Sequence, residues 1–100
     1  MSVVDAEAVL RGQRIIPVYT PGSETEAVAV ARALLQGGIG AIEVTLRTPV
    51  AIDAIAAVAR DVPGMIVGAG TVLDVAQLHQ AQRAGARFAV SPGCADELLL

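Results

Sequence analysis

The sequence predicts an α/β protein in which parallel strands alternate with covering helices. Hydrophobic residues make up 54% of the 100-residue chain, mainly Ala, Val, Leu and Ile, with Tyr19 and Phe88 as the aromatic residues. Apolar runs of strand length start at residues 15, 41, 65 and 88, at intervals of 23 to 26 residues. Segments with helical spacing lie between them, and this alternation indicates parallel strands joined by right-handed crossovers.

The first unit pairs a predicted strand at residues 15–19 with a helix that follows a Pro-Gly turn. Ser23 and Glu26 have the spacing of a capping box, which predicts that the helix begins there. The helix is predicted to end at Gly37 and Gly38. Its apolar stripe consists of Ala27, Val30, Ala31, Leu34 and Leu35.

The second unit has a predicted strand at residues 41–46, and Thr48 and Pro49 are predicted to open its helix as N-cap and first helical residue. The third unit has a strand at residues 65–70 and a helix between a second capping box and Gly85. That box consists of Asp74 and Gln77. A fourth strand at residues 88–90 leads to a helix predicted near Ala95, and residues 4–10 are predicted to form an amphipathic N-terminal helix.

Two architectures fit this order, an open doubly wound sheet and part of a (β/α)₈ barrel. The turn after the third strand, from Gly68 to Thr71, lacks the third glycine of a dinucleotide-binding fingerprint. The sequence stops within the fourth predicted helix, and a whole barrel has roughly 200 residues or more. We therefore expect residues 1–100 to be the N-terminal half of one barrel domain, truncated in its fourth helix.

Composition excludes several classes of function. The net charge of −3 argues against nucleic-acid binding, and Cys94 alone supports neither a disulfide framework nor a cysteine zinc site. A single histidine, His79, is expected to face solvent, so we predict no metal and no cofactor. No signal peptide and no apolar run of about 20 residues is visible, which predicts a cytoplasmic protein without a membrane segment.

All seven basic residues are arginines, so no lysine side chain can form a Schiff base. Alternation along the second strand puts Glu43, Thr45 and Arg47 on one face. Because buried charges are costly, this row predicts polar groups that point into a cavity for a small anion. In a barrel, such groups cluster at the carboxyl ends of the strands, where Thr71 and Pro92 also fall.

Each candidate has a structural alternative. Glu43 is predicted to be a general acid or base, and its alternative is a carboxylate held by an ion pair or by backbone donors. Arg47 has the planar fork suited to a carboxylate or phosphate, and its alternative is an exposed arginine at a strand end. Thr71 can donate its hydroxyl to the same anion or can belong to an ordinary turn.

Four segments resemble, in order and spacing, the N-terminal half of the 2-keto-3-deoxy-6-phosphogluconate (KDPG) and 4-hydroxy-2-oxoglutarate (KHG) aldolases. These segments are residues 14–18, 38–48, 68–73 and 88–93. The resemblance implies a (β/α)₈ barrel, a homotrimer, no metal, and class I lyase chemistry on a keto-acid with a pyruvyl portion. The family's Schiff-base lysine lies on the sixth strand, beyond residue 100, so the chain alone is expected to be inactive.

The resemblance also implies a role for each candidate residue. Glu43 matches the family's general acid/base, and Arg47 and Thr71 match the residues that hold the pyruvyl carboxylate. Pro92 falls where the family shapes the pocket near that portion. Two alternatives remain open: a non-catalytic half-barrel that assembles through its open edges at strands one and four, and another phosphate-handling barrel enzyme.

Overall fold

A computed structural model describes residues 10–13, 15–90 and 97–98 of the chain. Within them, five strands form one sheet in the order β1-β2-β3-β4-β5, and the first four strands are parallel. Three helices connect these four strands, which confirms the predicted α/β alternation. The elements are β1 (Val18–Tyr19), α1 (Glu24–Gln36), β2 (Ala41–Thr45), α2 (Ala51–Asp61), β3 (Ile66–Gly70), α3 (Val75–Ala84), β4 (Ala89–Val90) and β5 (Glu97–Leu98).

The hydrophobic core lies between one face of the sheet and the helices. Ile42 and Val44 of β2 are fully buried there, and Val67 and Ala69 continue the same layer on β3. The helices contribute mostly small residues, which allows them to pack close to the strands. These residues are Ala27 and Ala31 of α1, Ala51, Ala54, Ile55 and Val58 of α2, and Ala81 of α3.

Of the three helix starts predicted after the first, second and third strands, two are confirmed. The Ser23 hydroxyl accepts a hydrogen bond from the backbone N–H of Glu26 at 3.0 Å, and Asp74 does the same for Gln77 at 2.8 Å. The return bond of each box falls one residue upstream of the cap. The Glu26 carboxylate, for example, accepts from the backbone N–H of Gly22 at 3.2 Å. Both caps therefore satisfy two N–H groups that have no partner within the helix.

The predicted start of the second helix is wrong. Helix α2 begins at Ala51, with Val50 as its cap residue and no side-chain capping bond. The hydroxyl of Thr48 instead donates to the backbone carbonyl of Pro21 at 2.9 Å, which ties the turn after β2 to the turn after β1. The Thr48 side chain, which the local pattern predicts to cap the helix, thus forms a long-range hydrogen bond instead.

The prediction for the fourth unit is also wrong where the structure describes it. Residues 97–98, which fall in the predicted helix, form β5 and pair antiparallel with β4. This pairing occupies the outer edge of β4, where backbone groups would otherwise lack partners. The expectation of an open edge at the fourth strand is therefore wrong as well.

Strand β1 is shorter than the predicted 15–19, and among the described residues it pairs only with β2. Proline lacks an N–H for a ladder, but the Pro17 carbonyl still accepts from the backbone N–H of Glu43 at 2.9 Å. Most of the predicted N-terminal helix at 4–10, together with Arg14, Pro92 and Cys94, lies outside the described residues. No helix among the described residues is both long and apolar enough to cross a membrane.

Candidate active site

The face of the sheet turned away from the helices, called the inner face below, carries the candidate residues. Strand register pairs Glu43 with Gly68 and Thr45 with Gly70, and parallel partners point to the same side. The inner face is therefore formed by Val18, Glu43, Thr45, Gly68, Gly70 and Phe88. Ile42 and Val44 point to the helices, so the predicted placement of Glu43 opposite the core is confirmed.

Two glycines of β3 make room on the inner face for large side chains. A Cβ on Gly68 would overlap the ring of Phe88, which is itself buried. A Cβ on Gly70 would lie 2.9 Å from Cδ of Glu43 and would overlap its carboxylate. The Glu43 side chain therefore crosses from β2 and lies against the backbone of β3 at Gly70.

Thr71 follows Gly70 directly and has an unusual backbone. Its φ is +58°, and it is the one non-glycine residue with positive φ among those the structure describes. For a β-branched residue this conformation is strained by about 1–3 kcal/mol. The flanking residues hold it in place: the Gly70 carbonyl accepts from Leu46 N–H at 2.8 Å, and Val72 N–H donates to the Val90 carbonyl at 3.0 Å.

Two threonine hydroxyls meet at the carboxyl ends of β1 and β2. Thr45 is buried at the end of β2, and its Oγ1 lies 2.8 Å from that of Thr20, which is exposed after β1. The register places Thr45 next to Gly70, at the level that the Glu43 carboxylate reaches. The carboxyl ends of β1, β2 and β3 therefore present two hydroxyls, a carboxylate and the strained Thr71 at one edge of the sheet.

The four predicted site residues have different outcomes. Glu43 and the segment that contains Thr71 come together through Gly70. Arg47 lies exposed in the turn after β2, at the same end of the sheet, and its guanidinium bonds to none of the described residues. Pro92 lies outside the described residues, so its placement stays a prediction. The sequence analysis did not predict a role for Thr20 or Gly70, although Thr20 directly follows β1 and Gly70 ends β3.

A second polar cluster lies on the helix side of the same edge. Tyr19 donates its hydroxyl to the Glu26 carboxylate. Burial and then this hydrogen bond raise the pKa of Tyr19 to about 12, and the bond from the Tyr19 hydroxyl lowers the pKa of Glu26. This pair fastens β1 to the first turn of α1 and leaves the inner face untouched.

No three His, Cys, Asp or Glu side chains cluster as metal ligands within residues 10–13, 15–90 and 97–98. His79 is exposed on α3, as predicted. The groups available for chemistry in this region are therefore a carboxylate, hydroxyls and a guanidinium. They can exchange protons and bind a small anion.

The fold and the site together define the class of protein: a segment of a (β/α)₈ barrel with polar groups at the carboxyl ends of its strands. The profile of the KDPG and KHG aldolase family matches residues 6–100. The chain belongs to this family. The family membership answers the alternative of an unrelated barrel enzyme with a similar order of elements.

Relatives and solved structures agree with the profile. The KHG/KDPG aldolase of Escherichia coli K12 is 49% identical over 94 residues, which are 94% of this chain and 44% of the relative. The crystal structure of the Zymomonas mobilis ZM4 KDPG aldolase with 3-phosphoglycerate has a TM-score of 0.85 and 45% identity, covering 94% of this chain and 44% of that one.

A third comparison concerns the Legionella pneumophila KDPG aldolase, solved with pyruvate captured as a covalent carbinolamine intermediate. Its TM-score is 0.82 at 45% identity, over 93% of this chain and 45% of that one. The chain thus spans less than half the length of the relatives it matches. Its four parallel strands with alternating helices are a half-barrel of the fold of these enzymes.

Proposed function

We propose that this chain is the N-terminal half of a class I aldolase that cleaves 2-keto-3-deoxy-6-phosphogluconate to pyruvate and glyceraldehyde 3-phosphate. The same site would cleave 4-hydroxy-2-oxoglutarate to pyruvate and glyoxylate. The observation that carries the proposal is the position of the Glu43 carboxylate, which lies at the carboxyl end of β3 against Gly70. Gly70 is the residue before Thr71 in the sequence. Family membership supports the choice of reaction.

Glu43 is the proposed general acid/base. In a Schiff-base aldolase an amine adds to the substrate ketone, water leaves, and the iminium takes up the electrons of the broken carbon–carbon bond. Each of these steps moves a proton, which a carboxylate beside the reacting carbons can give and take back. This chain contains no lysine, so a Schiff-base lysine would come from residues outside these 100.

Arg47 and Thr71 are proposed to hold the carboxylate of the pyruvyl portion, and Pro92 to shape the pocket around it. The exposed guanidinium of Arg47 can form two parallel hydrogen bonds to a carboxylate. Thr71 supplies a hydroxyl from a rigid position, because its neighbours are bonded to β2 and β4. Together they would fix the substrate with its ketone toward Glu43.

The family resemblance further supports a homotrimer and a cytoplasmic location for the complete protein.

The test is to combine this chain with the C-terminal half of the Escherichia coli relative, whose matched part is 49% identical to this chain. We expect the co-eluting pair to release pyruvate from the phosphorylated keto-acid, while the chain alone releases none. Glu43→Gln should lower kcat by about 10²–10⁴-fold, because the amide cannot accept a proton. His79→Ala, an exposed control on α3, should not change it.

A co-eluting, folded pair without pyruvate release would contradict the proposal. So would a Glu43→Gln pair as active as the unmodified one. Pyruvate release by the chain alone would contradict the assignment of the amine to residues outside it.

A second function, assembly without catalysis, is favoured by the outer edge of β1, which pairs with no other described strand. Ile15 is 62% exposed and Val18 is 66% exposed, which is unusual for apolar residues at a sheet edge. Such an edge fits a complementary half-barrel. Size-exclusion chromatography detects the complex in either case, and the pyruvate assay distinguishes the two functions, since an assembly unit forms a stable complex with the second half without releasing pyruvate.

A further inference from the structure

We propose that Gly70 is a positioning residue for Glu43. Its missing Cβ leaves room for the Glu43 side chain to cross from β2 to β3, so that the carboxylate lies over Gly70, the residue before Thr71. The geometric part of this proposal concerns packing alone. Its catalytic consequence rests on the aldolase function proposed above.

Strand register shows that the placement of this carboxylate is diagonal. Glu43 pairs directly with Gly68, and Gly70 pairs with Thr45. To reach Gly70, the side chain must cross one strand spacing and advance two residues, a distance of roughly 7–8 Å between backbones. Only a long side chain spans such a diagonal, which distinguishes glutamate from aspartate at this position.

The direct neighbour of Glu43 on β3 is already occupied. The Phe88 ring lies so close over Gly68 that a Cβ there would overlap three of its ring carbons. Because Phe88 fills the space above Gly68, the Glu43 side chain is directed along β3 to the next inward-facing position. The two glycines thus make room for two different side chains: the Phe88 ring lies over Gly68, and the Glu43 carboxylate lies over Gly70.

Gly70 is required for space and not for its backbone angle. It lies within regular β3, whereas the positive φ values in this part of the chain belong to Thr71 and to other glycines. An alanine could adopt the backbone of residue 70, but its Cβ would lie 2.9 Å from Cδ and 3.0 Å from Cγ of Glu43. The carboxylate would have to leave β3 and would move away from Thr71.

Thermal unfolding of this chain tests the geometry. Gly70→Ala should lower Tm by about 5–10 °C, because overlap in a packed region is costly. Glu43→Asp should reduce this penalty by at least about half, since the shorter side chain withdraws from residue 70. Glu43→Gln has the length of glutamate and should leave the penalty in place.

Two controls match this cycle. Gly37→Ala adds the same methyl group where the nearest atom, the Leu34 carbonyl oxygen, would lie 3.5 Å away and φ is −83°, so it should change Tm far less. Gly68→Ala changes another glycine of β3 and creates an overlap with the Phe88 ring, which Glu43→Asp should not relieve. If Gly70→Ala does not fold, recovery of folding by Glu43→Asp supports the proposal, and its failure overturns it.

Activity of the half-barrel pair tests the catalytic consequence. Gly70→Ala should lower kcat about tenfold or more with a smaller change in KM, because the proton donor is displaced while the anion-binding groups stay. In a Glu43→Gln background the same substitution should cause almost no further loss. An equal loss in both backgrounds would indicate a merely structural role and overturn the proposal. If the unmodified pair releases no pyruvate, the proposed function fails, while the Tm cycle still decides the Gly70–Glu43 contact.

Discussion

The two faces of the sheet are built from the same short strands, yet they differ in composition and, at β1, in burial. On the helix side, Ile42 and Val44 are fully buried among apolar residues. On the inner face, β2 carries Glu43 and Thr45, and β3 offers two glycines. At β1 the contrast occurs between neighbours, since Tyr19 packs against the core while Val18 is 66% exposed.

The difference shows two kinds of packing. The helix side is filled by apolar side chains, and its contribution to the free energy of unfolding comes from their burial. The inner face is organised by individual contacts: a ring over Gly68, a carboxylate over Gly70 and a hydroxyl pair at Thr45. Placing polar groups on the helix side should therefore affect mainly stability, and removing polar groups from the inner face should affect mainly chemistry.

The largest expected effect comes from a matched pair of substitutions at adjacent residues of β2. Val44→Thr places a hydroxyl in the apolar core and should lower the free energy of unfolding by about 1–3 kcal/mol. Thr45→Val should cost less than about 1 kcal/mol, because the partner hydroxyl of Thr20 is exposed and can bond to water. Urea unfolding measures both. Equal costs would erase the distinction between the faces.

A smaller effect of opposite sign is expected at Thr71, where the inner face meets the loop. Thr71→Gly should raise the free energy of unfolding by about 0.5–1 kcal/mol, because glycine adopts a φ of +58° without strain. The same substitution should raise KM of the half-barrel pair by removing a hydroxyl donor. Thr25→Gly, exposed on α1, is the control and should lower stability. A less stable Thr71→Gly variant would show that its backbone is not strained.

The smallest effect concerns the helix side, where Tyr19 is the single tyrosine of a chain without tryptophan. Its ultraviolet absorbance should report a pKa of about 12, and Glu26→Gln should move this pKa toward its ordinary value of 10.0. Because the folded pKa is raised, the stabilisation is complete below pH 10.0 and is lost as the pH rises toward 12. Titration at the ordinary value in the unmodified chain would contradict the Tyr19–Glu26 contact.

Much of this architecture could be predicted from short patterns. The strand–helix order, the caps at Ser23 and Asp74 and the inward position of Glu43 follow from local periodicity and capping chemistry, which involve neighbours in sequence. The failures share a cause. Thr48 bonds to Pro21 instead of capping α2, and residues 97–98 pair with β4 instead of forming a helix, so a distant partner took precedence each time.

The sequence by itself determined which side chains share a face, because alternation along a strand is a property of the backbone. It also indicated the family, through four ordered motifs. Only the tertiary structure decided that the Glu43 carboxylate lies over Gly70, that Thr71 has a positive φ and that Thr20 meets Thr45. These contacts depend on the register between strands, which is set by packing across the whole sheet and not by any local pattern.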